Sequence, residues 1–179
     1  LKNIINTIIV NLFYYNISLL VLYFMKIIGI TGSTGSLGKE LKKNKYFRFC
    51  DFKYDIRSKK QIEKWFNQNN FDAVIHLAAI VPIKMVNKNK KKALAVNYGG
   101  TKNIIDQVIK HKVKWFFYAS TSHVYQSNKK KITEKSKLKP ISFYGKTKKL
   151  SEDYIIKKLK NTKIKYCIGR IFSTTNKDQ

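Results

Sequence analysis

The sequence predicts an α/β fold built on a doubly wound parallel sheet. Two observations carry that prediction. Short apolar, β-branched runs alternate with amphipathic stretches along most of the chain, the pattern of successive strand–helix–strand units. The first such run, Met25-Lys26-Ile27-Ile28-Gly29-Ile30, leads directly into Thr31-Gly32-Ser33-Thr34-Gly35-Ser36-Leu37-Gly38, a glycine-rich turn that opens a helix. A unit of this kind turns backbone N–H groups and a positive helix end toward a pyrophosphate. Within it Gly32 permits a tight turn, Gly35 lets the backbone approach the phosphates, and Gly38 lets helix and strand pack closely. The spacing is G-x-x-G-x-x-G, not the commoner G-x-G-x-x-G.

The remaining elements follow in order. Strand one covers 26–31, a short helix 37–44, and strand two 46–52. A helix over 58–67 puts Ile62, Trp65 and Phe66 on one face. The run 73–77 is too apolar to face water and reads as a buried strand. A long helix over 93–110 carries Val96, Ile104, Ile105, Val108 and Ile109 at core spacing. A strand at 114–119, a helix at 144–160 and a strand at 163–171 complete the pattern. There are no repeats and no low-complexity linker.

At 179 residues the chain can bury one sizeable core. Its formal charge of +27 comes almost wholly from lysine; Arg48, Arg57 and Arg170 are the only arginines. Nucleic-acid readers favour arginine for its bidentate contacts, and these lysines are spread along the chain, so a nucleic-acid partner is not expected. The charge favours an anionic nucleotide substrate instead. Cys50 and Cys167 have neither CxxC nor histidine spacing, which points to reduced thiols in a cytoplasmic protein and to no metal site. Residues 1–24 are strongly apolar and long enough to cross a membrane, but they run straight into strand one with no linker. They read as an extension outside the fold, with the domain over 25–179; a membrane anchor is the alternative.

Further motifs sharpen the reading. Tyr144-Gly145-Lys146-Thr147-Lys148 is a Tyr-x-x-x-Lys pair, with Ser120-Thr121-Ser122-His123-Val124-Tyr125 upstream of it. His76-Leu77-Ala78-Ala79 closes a strand between the two regions. Asp55-Ile56-Arg57 follows the first unit, and Val96-Asn97-Tyr98-Gly99-Gly100-Thr101 opens a helix. In this order the set resembles the extended short-chain dehydrogenase/reductase superfamily, and within it the NAD-dependent sugar-nucleotide epimerases, dehydratases and reductases. The short stretch between Gly38 and Asp55 is similar to the dTDP-4-dehydrorhamnose reductase branch and leaves the number of strands beyond strand two open. The resemblance implies a Rossmann domain lacking most of a C-terminal substrate domain, since relatives continue well past the position of Gln179. It leaves room for a homodimer of the full-length parent.

The resemblance also implies roles. Tyr144 becomes the acid/base, its pKa lowered by the Lys148 cation one helical turn away and by an oxidised nicotinamide. Lys148 also holds the nicotinamide ribose. Thr121, three before Val124, orients the sugar oxygen. Asp51, at the end of strand two, accepts from the adenosine ribose and favours NAD over NADP, although Lys53, Arg48 and Arg57 nearby work the other way. Ser33, Thr34, Ser36 and Leu37 line the phosphate loop. Asp55 and Ile56 meet the adenine, Leu77, Ala78 and Ala79 pass beneath the cofactor, and Asn97 supports the lysine or satisfies buried backbone. His76, His111 and His123 read as structural. The expected function is hydride transfer between a nucleotide-linked sugar and NAD(P), by epimerisation or keto reduction, with these 179 residues alone expected to be inactive for want of the substrate domain. Ser122 and His123 stand where a dehydratase carries an acid beside its Ser/Thr. The alternatives are a dinucleotide-binding module without chemistry and a membrane-tethered scaffold.

Overall fold

The computed structural model describes residues 27–81, 83–127 and 131–172; the extension 1–24 lies outside the described residues. Within them the expected parallel sheet forms from β1 (Ile27–Thr31), β2 (Arg48–Phe52), β3 (Ala73–His76), β4 (Trp115–Thr121) and β5 (Lys165–Ile171). The order is β2-β1-β3-β4-β5, and every neighbouring pair is parallel. The helices are α1 (Ser36–Leu41), α2 (Lys59–Asn67), α3 (Ile83–Lys88), α4 (Lys90–Leu94), α5 (Thr101–Lys110) and α6 (Phe143–Leu159).

The period-two alternation of the strands decides which face each side chain meets. Ile28 and Ile30 of β1, Ala73 and Ile75 of β3, and Trp115 and Phe117 of β4 join Leu41 of α1 on one face. Val74, Phe116 and Tyr118, the intervening residues, meet Ile62, Trp65 and Phe66 of α2 on the other. Ile104, Ile105 and Val108 of α5 and Ile155 and Leu159 of α6 complete that second cluster. Helices therefore cover both faces, and each fully buried aliphatic or aromatic side chain contributes about 1.5–3 kcal/mol.

Several boundaries differ from the sequence reading, for local reasons. Helix α1 ends at Leu41, because Lys43 N–H turns back to Glu40 O and the Asn44 side chain accepts from Tyr46 N–H at 2.9 Å. Strand β4 runs on through Ser120 and Thr121, which pair with Arg170 and Ile171 of β5. The long helix expected over 93–110 is divided. Asn89 caps α4 by accepting from Lys92 N–H at 2.8 Å, a π-helical turn spans Ala95–Gly100, and α5 follows. At Gly100 a Cβ would come within 2.7 Å of Ile56 Cγ2, so the bare backbone is what lets this turn pack on the loop after β2.

The chain reverses direction across the sheet at β1, which lies between β2 and β3. In open α/β sheets ligands bind outside the carboxyl ends of strands at such a switch point. Gly32 sits there with φ of 72°, and a Cβ on it would lie 2.7 Å from Ala78 N. The glycine loop and the loop after β3 therefore touch, backbone to backbone.

Helix α6 is seated as closely. Ser142 caps it by accepting from Gly145 N–H at 3.0 Å, and a Cβ at Gly145 would lie 2.3 Å from His123 O. Gly145→Ala should destabilise the protein by about 1–3 kcal/mol, because backbone cannot yield. Gly99→Ala, where nothing lies within 4 Å, should instead stabilise it by about 0.4–1 kcal/mol by restricting the unfolded chain. Urea unfolding of both variants checks the pair, and equal midpoints would contradict it.

Candidate active site

At the switch point a groove of about 910 Å³ is lined by Gly32, Ser33, Thr34 and Gly35, by Asp51, Asp55 and Ile56, and by Leu77, Ala78 and Ala79. A second hollow of about 460 Å³ shares Gly32, Gly35, Leu77 and Ala79 with it and adds Ser36, Leu37, Gly38, Ser120, Tyr144 and Lys148. The two form one continuous trough. It brings together every sequence-predicted site residue except Thr121 and Asn97, which line neither part.

The loop that forms the trough wall is fixed by contacts that exclude side chains. A Cβ at Gly38 would lie 2.6 Å from Ser33 Cα, so α1 packs directly on the turn before it. At Gly35 the nearest atom to a Cβ is Gly32 O at 3.5 Å, so a larger side chain here would extend along the trough.

Beneath the trough runs a buried chain of hydrogen bonds. The Thr101 hydroxyl donates to Asn97 O at 2.6 Å, so its oxygen accepts from His76 Nε2 at 3.0 Å. His76 Nδ1 then accepts from the Thr31 hydroxyl at 2.6 Å, and Thr31 Oγ1 accepts from Ala78 N–H. Burial, with the Lys148 charge nearby, drives the imidazole down to about 3, so it stays neutral. Asn97 extends the chain: its Oδ1 accepts from Ile80 N–H at 2.8 Å, and its Nδ2 donates to Ile80 O and to Thr147 Oγ1. It satisfies buried backbone, and reaches the residue beside Lys148 rather than Lys148 itself.

At the far end Tyr144 and Lys148 are both buried on α6. The Lys148 ammonium lies over the Tyr118 ring, 4.3 Å from its centroid. Burial lowers the ammonium to about 7, and Glu152, one turn on, acts in the opposite direction. Burial raises the Tyr144 phenol above its ordinary value, with the Thr121 hydroxyl opposing it. This differs from the lowering anticipated from Lys148 and an oxidised nicotinamide: in the protein alone desolvation prevails, and the lysine charge rests on Tyr118. Thr121 is buried at the end of β4, where its Oγ1 accepts from His123 N–H at 3.3 Å. His123 packs edge-on against the Tyr144 ring.

At the adenosine end predicted for the groove, Asp51 Oδ2 pairs with Lys42 at 2.5 Å, while its Oδ1 is buried without a partner among the described residues. That orphaned acceptor suits a ribose hydroxyl. Asp55 is held by Arg57 through backbone N–H, Nε and Nη2, which keeps its carboxyl near 2. Among the described residues no group of His, Cys, Asp and Glu could hold a metal ion, and no helix is long and apolar enough to cross a membrane.

Sequence reasoning passed over the support of the site. Glu152 is fully buried, accepts from the Ser120 hydroxyl, and takes a two-pronged contact from Arg170, whose Nη1 also donates to Tyr125 Oη at 3.1 Å. A signal existed: Tyr144, Lys148 and Glu152 recur every four residues, and Arg170 is one of only three arginines. Lys42 carried no signal, since it is one lysine among many.

Residues 25–178 match the family described as RmlD substrate binding domain. Probable UDP-arabinose 4-epimerase 3 of Arabidopsis thaliana is 34% identical over 125 residues, 69% of this chain and 30% of that protein. The dTDP-4-dehydrorhamnose reductase of Bacillus anthracis, solved in complex with NADP, is similar with a TM-score of 0.73 and 27% identity, over 82% of this chain and 53% of that one. The Thermus thermophilus UDP-glucose 4-epimerase complex with NAD shares the fold, with a TM-score of 0.70 and 20% identity over 80% of this chain and 54% of that one. The chain thus spans 30% of the curated relative and about half of each structural neighbour.

The buried ammonium has a consequence for stability. Between pH about 7 and 10.5 the unfolded chain keeps a proton on Lys148 that the folded chain has lost, so this group's destabilisation is full below 7 and relieved as pH rises. Lys148→Met should therefore raise the unfolding free energy most at pH 6 and least near pH 10. Urea titrations across that range measure the difference, and a gain independent of pH would contradict the assignment.

Proposed function

Because the chain belongs to the RmlD substrate binding domain family, within the extended short-chain dehydrogenases/reductases, we propose that it binds a nicotinamide dinucleotide and serves in epimerisation or keto reduction of a nucleotide-linked sugar. The observation that carries this reading is the continuity of the trough, which joins the glycine loop and Asp51 to Tyr144 and Lys148 through Gly32, Gly35, Leu77 and Ala79. A two-ended ligand with a central pyrophosphate suits such a trough. Residues 32–38 would hold the pyrophosphate, Asp51, Asp55 and Ile56 the adenosine end, and Lys148 the nicotinamide ribose. When bound, the nicotinamide supplies or accepts a hydride at the sugar carbon.

The protein's part is the proton. Tyr144, protonated in this setting, is poised to donate to a keto oxygen as it is reduced, and to recover that proton in the reverse direction. Thr121, whose hydroxyl acts on the Tyr144 phenol, would orient the same oxygen. Lys148, whose ammonium burial lowers to about 7, stands one helical turn from Tyr144, where its positive charge would favour the phenolate. Ser122 and His123 offer no carboxylate beside Thr121, which favours epimerisation or reduction over dehydration. NAD is the cofactor the Asp51 carboxylate favours.

Gly35→Val would drive a branched side chain into the pyrophosphate path. Fluorescence or calorimetric titration should show NADH binding by the wild-type chain and a loss of at least tenfold in the variant, and equal affinities would remove the loop from its role. In an enzyme extended to the full length of its relatives, Tyr144→Phe should leave NADH affinity unchanged and lower kcat by about 10²–10⁴. Assays with UDP-, GDP- and dTDP-linked sugars measure this, and near-normal turnover would exclude Tyr144 as the acid/base.

A further inference from the structure

We propose that Lys42, which does not line the groove but pairs with Asp51, which does, is a selectivity residue for its adenosine end, and that by holding Asp51 in an ion pair it lets the site accept an adenosine 2′-phosphate as well as a free 2′-hydroxyl. The inference rests on the dinucleotide reading above and concerns which form is taken.

An unencumbered carboxylate at the end of the second strand selects for the diol, because it accepts from the hydroxyls and repels a phosphate. Asp51 is not unencumbered. Lys42, just beyond the end of α1, sits 2.5 Å from Oδ2 and leaves only Oδ1 without a donor. One oxygen is therefore ready for a ribose hydroxyl while the charge that would repel a phosphate is balanced.

The surroundings add to this balance. Lys53, Arg57 and Lys92 line the same groove, and Asp55 is its other carboxylate. Arg57 is taken by Asp55, whereas Lys53 and Lys92 form no ion pair among the described residues. The Lys42 side chain is 38% exposed, so its hold on Asp51 is weak enough for a dianionic phosphate to draw it across. With a free ribose, Lys42 stays on Asp51; with a 2′-phosphate, it turns to the phosphate, and the same trough serves both.

The test is a comparison of NADH and NADPH affinities, by fluorescence titration, for the wild-type chain, Lys42→Met, Asp51→Asn and the double variant, each checked for folding by circular dichroism. The wild type should bind both within about tenfold of each other. Lys42→Met should tighten NADH and weaken NADPH, moving their ratio by about three- to tenfold, the scale of a partly exposed charge pair. In the Asp51→Asn background the same substitution should move the ratio less, because no carboxylate is left to unmask. A ratio that Lys42→Met leaves unchanged, or moves equally in both backgrounds, would overturn the proposal while leaving the dinucleotide reading intact. Failure of the wild type to bind either cofactor would overturn both.

Discussion

The geometry of the trough depends on His76 remaining neutral. One ring nitrogen accepts from Thr31 and the other donates to Thr101, and those two threonines in turn fix Ala78 N and Asn97 O. Strand β1, the loop after β3 and the π-helical turn are thus tied through a single imidazole. A proton added to Nδ1 would bury a charge with no water-facing surface and turn the Thr31 hydroxyl proton away from its acceptor, a cost of several kcal/mol. Desolvation that drives the ring's pKa down is therefore part of what fixes the register of the loops above it.

The other buried charges obey a stricter economy of placement. Glu152 and Arg170 neutralise one another, and Ser120 supplies a further hydrogen bond to the carboxylate. Breaking a buried pair of this kind by removing one partner costs about 3–5 kcal/mol, so α6 and β5 are locked at this point. Lys148 is left with the face of Tyr118 rather than a carboxylate. An aromatic face holds a cation less firmly than a carboxylate does, which leaves the ammonium free to respond to whatever enters the trough.

Much of this was legible. The apolar runs located all five strands of the described sheet, and the glycine spacing located the switch-point loop, because both signals arise from short-range geometry. Helix α3 was not seen: Ile83-Lys84-Met85-Val86 is too short to show a period. The π-helical turn was hidden because the residues beyond it keep core spacing, so the pattern over 93–110 looks unbroken. The prominence of Ser120 in the trough was also missed. Extending β4 to Thr121 puts Ser120 in phase with Tyr118, toward α6 and Glu152, and strand ends are where sequence is least informative. Ion pairs such as Lys42 with Asp51 are set by tertiary proximity alone.

The Glu152–Arg170 contact also explains something about the composition. This chain uses lysine for nearly every positive charge, yet two of its three arginines, Arg57 and Arg170, each grip a carboxylate through more than one guanidinium nitrogen. A lysine ammonium is a point donor and cannot reproduce that planar fork. Lys42 and Lys148 apart, lysine serves mostly as an interchangeable surface charge, whereas arginine here behaves as a rigid fastener. In a chain this rich in lysine, the rare guanidinium is therefore a readable mark of where shape, and not charge alone, has been required.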